Sequence, residues 1–230
     1  DYEEANTRFL YEKYHRNGLI IDCEENLKKK VLSNINSWKG NIKIVEEFLS
    51  SKNIQEILKQ NIDFEVDIFS LDVDGIDYWL LEKINSKFPK IFIVEYNAVF
   101  GNQFDISVPD ISNFSRSKYH YSTLCYGMSL KALIRIMKLK KYYFVGTNSL
   151  RNNAFFVSNE YPKDKYFPNP IVDSDKIDNH TNSVIRESRN EKGDLNYLPV
   201  GQRLNEIKDC EIIDFSDGAA LKKISDLKYF

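Results

Sequence analysis

The chain has 230 residues, enough for one large domain or a domain with an appendage, and its 42% hydrophobic and 13% aromatic content is near the globular norm. A formal charge of −2 argues against a nucleic-acid partner and against attachment to an anionic membrane surface. Cys23, Cys125 and Cys210 are too few and too dispersed for a disulfide framework or a zinc site, and they fit a reducing, cytoplasmic compartment. No apolar run is long enough to insert into a membrane, and the acidic start Asp1-Tyr2-Glu3-Glu4 is unlike a signal peptide. The first residue is not Met, so the natural chain is expected to begin earlier.

In chain order, Asn6 caps a predicted helix over 7–16 that Gly18 stops, and Leu19-Ile20-Ile21 forms a short buried strand ending at Asp22. Leu27, Val31, Leu32 and Ile35 recur at helical spacing, with acids in the first turn, so 24–35 reads as a helix. The triple-lysine run within it, Lys28 to Lys30, reads as a solvated face. Ile42-Lys43-Ile44-Val45 is a strand running into Glu46 and Glu47, and Asn53 caps a helix carrying Ile54, Ile57 and Leu58. A strand follows over 66–71, a helix over 77–87 with Asp77 as N-cap and a stop at Phe88-Pro89, and another strand over 91–94.

The segment 98–126 has no clear period, and loops this long are commonly functional. Its aromatics, among them Phe100, Phe114, Tyr119 and Tyr126, suit an ordered segment that covers a substrate. Ser129 caps a helix with Leu130, Leu133, Ile134 and Met137, and 142–145 and 154–157 form the arms of a hairpin. Beyond Pro162 the composition turns polar as far as Asn182, followed by a helix over 200–209 and a strand over 211–214. Strands alternating with helices predict an α/β fold: a doubly wound, mostly parallel, Rossmann-like sheet with helices on both faces and a terminal antiparallel hairpin. The expected organisation is a core over 1–160, including the 98–126 loop, and a C-terminal extension over 161–230 packed on it.

The apolar run 66–71 stops abruptly at Asp72, Asp74 and Asp77, and the run 91–94 stops at Glu95-Tyr96-Asn97. Ligands of open α/β sheets lie beyond the carboxyl ends of strands, and a packed core gains nothing from unpaired carboxylates. Asp72 and Asp74 are therefore candidate ligands of a hard cation such as Mg2+ or Mn2+, or groups that orient a substrate hydroxyl and take its proton. Glu95 and Asn97 complete the oxygen set or bind a pair of sugar hydroxyls. Asp22 is placed to accept ribose hydroxyls of a nucleoside cofactor, with Glu46 or Glu47 near its base. His120, in the aromatic loop, is the candidate base near neutral pH, while His15 and His180 are taken as structural.

Together, Asp72-Val73-Asp74-Gly75-Ile76-Asp77-Tyr78-Trp79, Ile93-Val94-Glu95-Tyr96-Asn97, Gly127-Met128-Ser129-Leu130, Val145-Gly146-Thr147-Asn148-Ser149 and Asn153-Ala154-Phe155-Phe156-Val157 resemble FkbM-type and related S-adenosylmethionine-dependent methyltransferases. Asn6 to Leu10 followed by Gly18 to Asp22 is similar to a helix and second strand of the same fold, and Arg186-Glu187-Ser188-Arg189 with Gly193 adds a smaller point of likeness. The resemblance covers about residues 6 to 160. It implies O-methyl transfer from S-adenosylmethionine to a hydroxyl of a sugar or nucleotide-sugar, in bacterial surface-polysaccharide biosynthesis. It also implies that Asp72 lies by the cofactor. The chain departs from the family in starting after the strand and glycine-rich turn that hold the methionine end of the cofactor, a segment expected to precede residue 1.

A hydroxyl is a poor nucleophile, so this chemistry needs a base or a cation beside it. Two other readings stand. One is a glycosyltransferase holding a divalent ion through Asp72-Val73-Asp74; the other is a non-catalytic partner that kept the fold. The expected partner is a small sugar-like molecule, and a homo-oligomer stays open.

Overall fold

Short apolar runs form strands here, several of them only partly buried, but their pairing departs from the expected plan. The computed structural model describes residues 6–34, 41–85, 89–162, 165, 186–228 and 230, and the chain divides into two units, 1–65 and 66–230. In the first unit the order is α1 (Arg8–Glu12), β1 (Gly18–Asp22), α2 (Leu27–Asn34), β2 (Ile42–Glu46) and α3 (Ile54–Asn61). Strands β1 and β2 are parallel, in register from Gly18 with Ile42 to Asp22 with Glu46. Leu27 and Val31 of α2 are buried against Tyr11, Ile20, Ile42 and Ile44, a small core of its own. Gly18 opens β1 because Tyr11 lies across it: a Cβ there would meet the Tyr11 ring at 2.3 Å.

The second unit contains β3 (Ile68–Leu71), α4 (Asp77–Lys83), β4 (Ile91–Glu95), β5 (Ile106–Ser107), α5 (Arg116–Tyr119), α6 (Leu130–Leu139), β6 (Tyr142–Thr147) and β7 (Asn153–Ser158). It continues with β8 (Ser188–Arg189), β9 (Leu195–Asn196), α7 (Val200–Glu206), β10 (Glu211–Asp214) and β11 (Ala220–Lys223). The central sheet has the order β3-β4-β7-β6, in which β3 and β4 are parallel and both other pairings are antiparallel. A second sheet, β11-β10-β5, is antiparallel, as is the β8-β9 pair. Phe92, Val94, Ala154 and Phe156 are fully buried in the central sheet, and burial of each phenylalanine contributes roughly 1.5–3 kcal/mol. Helix α6 buries Leu130, Leu133, Ile136 and Met137, and its Ser129 cap accepts from the Ala132 N–H at 3.1 Å.

The expected doubly wound, mostly parallel sheet is therefore corrected. The described residues form four small sheets, with parallel pairing in β1–β2 and β3–β4 alone. The physical reason is that a four- or five-residue apolar run specifies burial but neither its neighbour nor its direction. The returning hairpin arm β7 takes the place beside β4, so half of the β4 backbone pairs antiparallel. Other differences are local. The first helix is short and starts after Thr7, β8, β9 and β11 add to the expected elements, and the 98–126 segment holds β5, α5 and a 3-10 turn at Ala98–Phe100. The polar run that contains Pro168, Pro170 and His180 lies outside the described residues.

Candidate functional site

The register of β3 and β4, with Leu71 opposite Val94, brings the residue after β3 level with the last residue of β4. These residues are Asp72 and Glu95. One carboxylate oxygen from each of Asp72, Asp74 and Glu95 lies within 4.8 Å of the others. The structure thus assembles the three residues singled out as cation ligands.

The turn that carries Asp74 is shaped by backbone demands. Asp74 has φ +53°, a left-handed conformation that Asp tolerates better than most residues. Gly75 packs under the ring of Phe114, where a Cβ would come within 2.7 Å of Cδ1. Asp77 does not act as the N-cap of α4, a place held by Ile76; it is the first helical residue, 1% exposed. Its Oδ1 accepts from the Val73 N–H at 3.0 Å and its Oδ2 from the Gly75 N–H at 3.1 Å, so Asp77 braces the turn that presents Asp74.

Glu95 is 5% exposed. Its Oε1 accepts from the Tyr126 hydroxyl at 3.3 Å and lies 3.9 Å from Nη2 of Arg186. Its Oε2 is buried without any hydrogen-bond donor. Burial, reinforced by the charge of Asp72, holds the Glu95 carboxyl well above the usual carboxylate range. Asp72 retains an exposed edge, yet the protein packed around it raises its pKa too, with Asp74 adding to the rise and a hydrogen bond to Glu95 opposing it. Burial and the proximity of Asp72 push Asp77 up to about 7, against the pull of its backbone bonds. Two facing carboxylates cannot both stay ionised without something positive between them, so the pair binds a proton or a cation.

Positive charge borders the acids. Arg116 is ion-paired with Asp74, and the Arg186 guanidinium donates to the Tyr126 hydroxyl. Both guanidiniums lie over the Tyr126 ring, 5.4 Å and 4.8 Å from its centroid. Sequence reasoning missed Arg116 and the role of Tyr126. In the sequence Arg186 stands out only as part of the Arg186-Glu187-Ser188-Arg189 run.

The other candidates occupy distinct settings. Asn97 is 1% exposed and its amide is committed: Nδ2 donates to the carbonyls of Leu124 and Tyr126 at 2.8 and 2.9 Å, and Oδ1 accepts from the Val99 N–H. It anchors the segment that carries Tyr126. His120 bonds Ser122 through Nδ1 at 2.8 Å and packs against Tyr121 in a tilted ring pair, with its pKa lowered by burial and pushed back up by Glu206 and Asp209. In the first unit, Asp22 and Glu46 are paired in register at the ends of β1 and β2. Asp22 accepts from the Glu24 N–H and Glu46 from the Lys28 N–H near the start of α2, both at 2.9 Å.

Comparison with protein-family models, with curated proteins and with solved structures yields no match. No helix among the described residues is long and apolar enough to cross a membrane.

Proposed function

We propose that this chain is an O-methyltransferase that uses S-adenosylmethionine as donor and a hydroxyl of a sugar or nucleotide-sugar as acceptor. In this reading Asp72, Asp74 and Glu95 hold a Mg2+ or Mn2+ ion. The observation that carries the reading is the Glu95 carboxyl, 5% exposed, with one oxygen lacking a donor and with Asp72 beside it. An acidic cluster on a surface is common; a buried carboxylate with an orphaned oxygen among other acids needs a positive occupant. Oxygen donors at the ends of adjacent strands suit a hard divalent ion. When bound, such an ion lowers the pKa of a coordinated hydroxyl.

The chain's own residues divide the remaining work. Glu95 forms the buried floor of the set, and Asp72 and Asp74 form its open side. Asp72 and Asp74, on that open side, border the solvent from which the acceptor hydroxyl would enter. Asp77 keeps the turn in place and Asn97 keeps Tyr126 against Glu95, so both act by positioning. For the donor, the support is the resemblance in sequence. The glycosyltransferase reading accounts for Asp72 and Asp74 but gives no role to Glu95.

Calorimetric titration of the full chain with S-adenosylhomocysteine, with and without Mg2+ or Mn2+, tests the reading. Micromolar binding, and loss of methyl transfer in an Asp72→Asn variant that keeps its fold, are the expected results. No binding of S-adenosylhomocysteine, together with binding of a nucleoside-diphosphate sugar in the presence of Mn2+, would overturn it in favour of glycosyl transfer.

A further inference from the structure

We infer that the acceptor carries an oxyanion, a phosphate or a carboxylate, and that Arg116 and Arg186 bind it; this deepens the function proposed above and rests on it. The two guanidiniums flank one rigid feature. Tyr126 is 1% exposed, its carbonyl is held by Asn97, and Cζ of Arg116 and of Arg186 lie 5.4 Å and 4.8 Å from its ring centroid. Arg116 has a single acceptor, Asp74, and Arg186 has Tyr126 with Glu95 more distant. A guanidinium offers five N–H donors, so most donors of each group have no protein acceptor among the described residues. The side chains are 38% and 19% exposed, so these donors border the open side of the acid set.

Charge gives the second part of the argument. Three carboxylates face two guanidiniums, and the acids are in excess. A divalent ion among the carboxylates reverses this into an excess of one positive charge and takes over as counter-charge of Asp74 and Glu95. The guanidiniums are then left with free donors and one carboxylate charge between them. A planar fork of N–H groups matches the paired oxygens of a phosphate or carboxylate, and the cation–π contact with Tyr126 holds each guanidinium beside the ring. An uncharged polyol would leave that excess positive charge uncompensated.

The test is calorimetry of the full chain, first with Mn2+ alone, then in Mn2+ with glucose 6-phosphate, glucuronate and glucose. At least one charged sugar is expected to bind about tenfold or more tightly than glucose. Arg116→Gln and Arg186→Gln should erase that preference while Mn2+ binding persists or strengthens. Whichever charged sugar binds more tightly identifies the oxyanion. Mn2+ binding with equal affinities for the three sugars would overturn the inference and leave the cation assignment standing. Absence of Mn2+ binding would remove the cation assignment, and a surviving arginine-dependent preference would then retain the anion subsite alone. Circular dichroism checks the fold of each variant, and Arg186→Lys, which keeps the charge but loses the fork, should give an intermediate preference.

Discussion

Asp72 and Glu95, carried by adjacent parallel strands, place their carboxyls against one another, and the charge of Asp72 adds to the burial that raises the proton affinity of Glu95. The two residues are 23 positions apart in the chain, and nothing but strand register brings them together. A pair of this kind lowers the stability of the unoccupied protein and strengthens binding of a cation, the usual conflict between stability and a functional site.

Glu95→Gln should separate the two effects. The new amide can donate to Asp72, which removes the charge clash and the orphaned oxygen. Metal-free stability is expected to rise by about 1 kcal/mol or more, as on replacing a poorly compensated buried charge. Mn2+ affinity should fall by roughly tenfold or more. Urea denaturation with EDTA and calorimetry with Mn2+ measure the two quantities, and a variant less stable than the parent would contradict the description of Glu95.

The pH dependence has a definite sign. Glu95 and Asp72 are raised and Asp77 is pushed up to about 7, whereas unfolded carboxyls titrate near 4. Groups that hold their protons more tightly when folded contribute stability that is full below the unfolded value and is lost as pH rises through the folded value. Metal-free protein should therefore lose stability from about pH 4 to beyond about pH 7, and Mn2+ should restore most at the upper end. Thermal melts across that range, with EDTA or with Mn2+, read this directly, and a profile that rises with pH would refute the assignment.

Asn97→Ala removes three hydrogen bonds and leaves the buried carbonyls of Leu124 and Tyr126 without that donor. A loss of about 2–4 kcal/mol is expected. Because Tyr126 bonds Glu95, the variant should also weaken Mn2+ binding without touching a ligand. Equilibrium unfolding and metal titration of the same sample test both parts.

Gly75→Ala would set a Cβ 2.7 Å from the Phe114 ring. Overpacking of this kind costs about 1–3 kcal/mol. Phe114→Leu in the same chain should recover part of the loss, since the clash is with the ring. Failure of that double variant to recover would place the cause elsewhere in the turn.

The sequence by itself determined where strands end in acids, that Ser129 caps a helix, and that the segments around 142–145 and 154–157 pair with each other. These are local facts, set by apolar runs, capping chemistry and loop length, and each needs only a few neighbouring residues. Asp72, Asp74 and Glu95 were legible for this reason, because a carboxylate that closes a buried strand stands out in one dimension. Only the tertiary structure decided the rest: the β3-β4-β7-β6 order in place of a doubly wound sheet, Asp77 as a brace of the turn, and Asn97 as an anchor for Tyr126. The placement of Arg116 and Arg186 around that ring was likewise settled by the fold. Strand direction, the left-handed turn at Asp74 and the meeting of side chains from residues 72, 95, 116, 126 and 186 depend on contacts between distant segments, and no local pattern encodes which distant segment will be met.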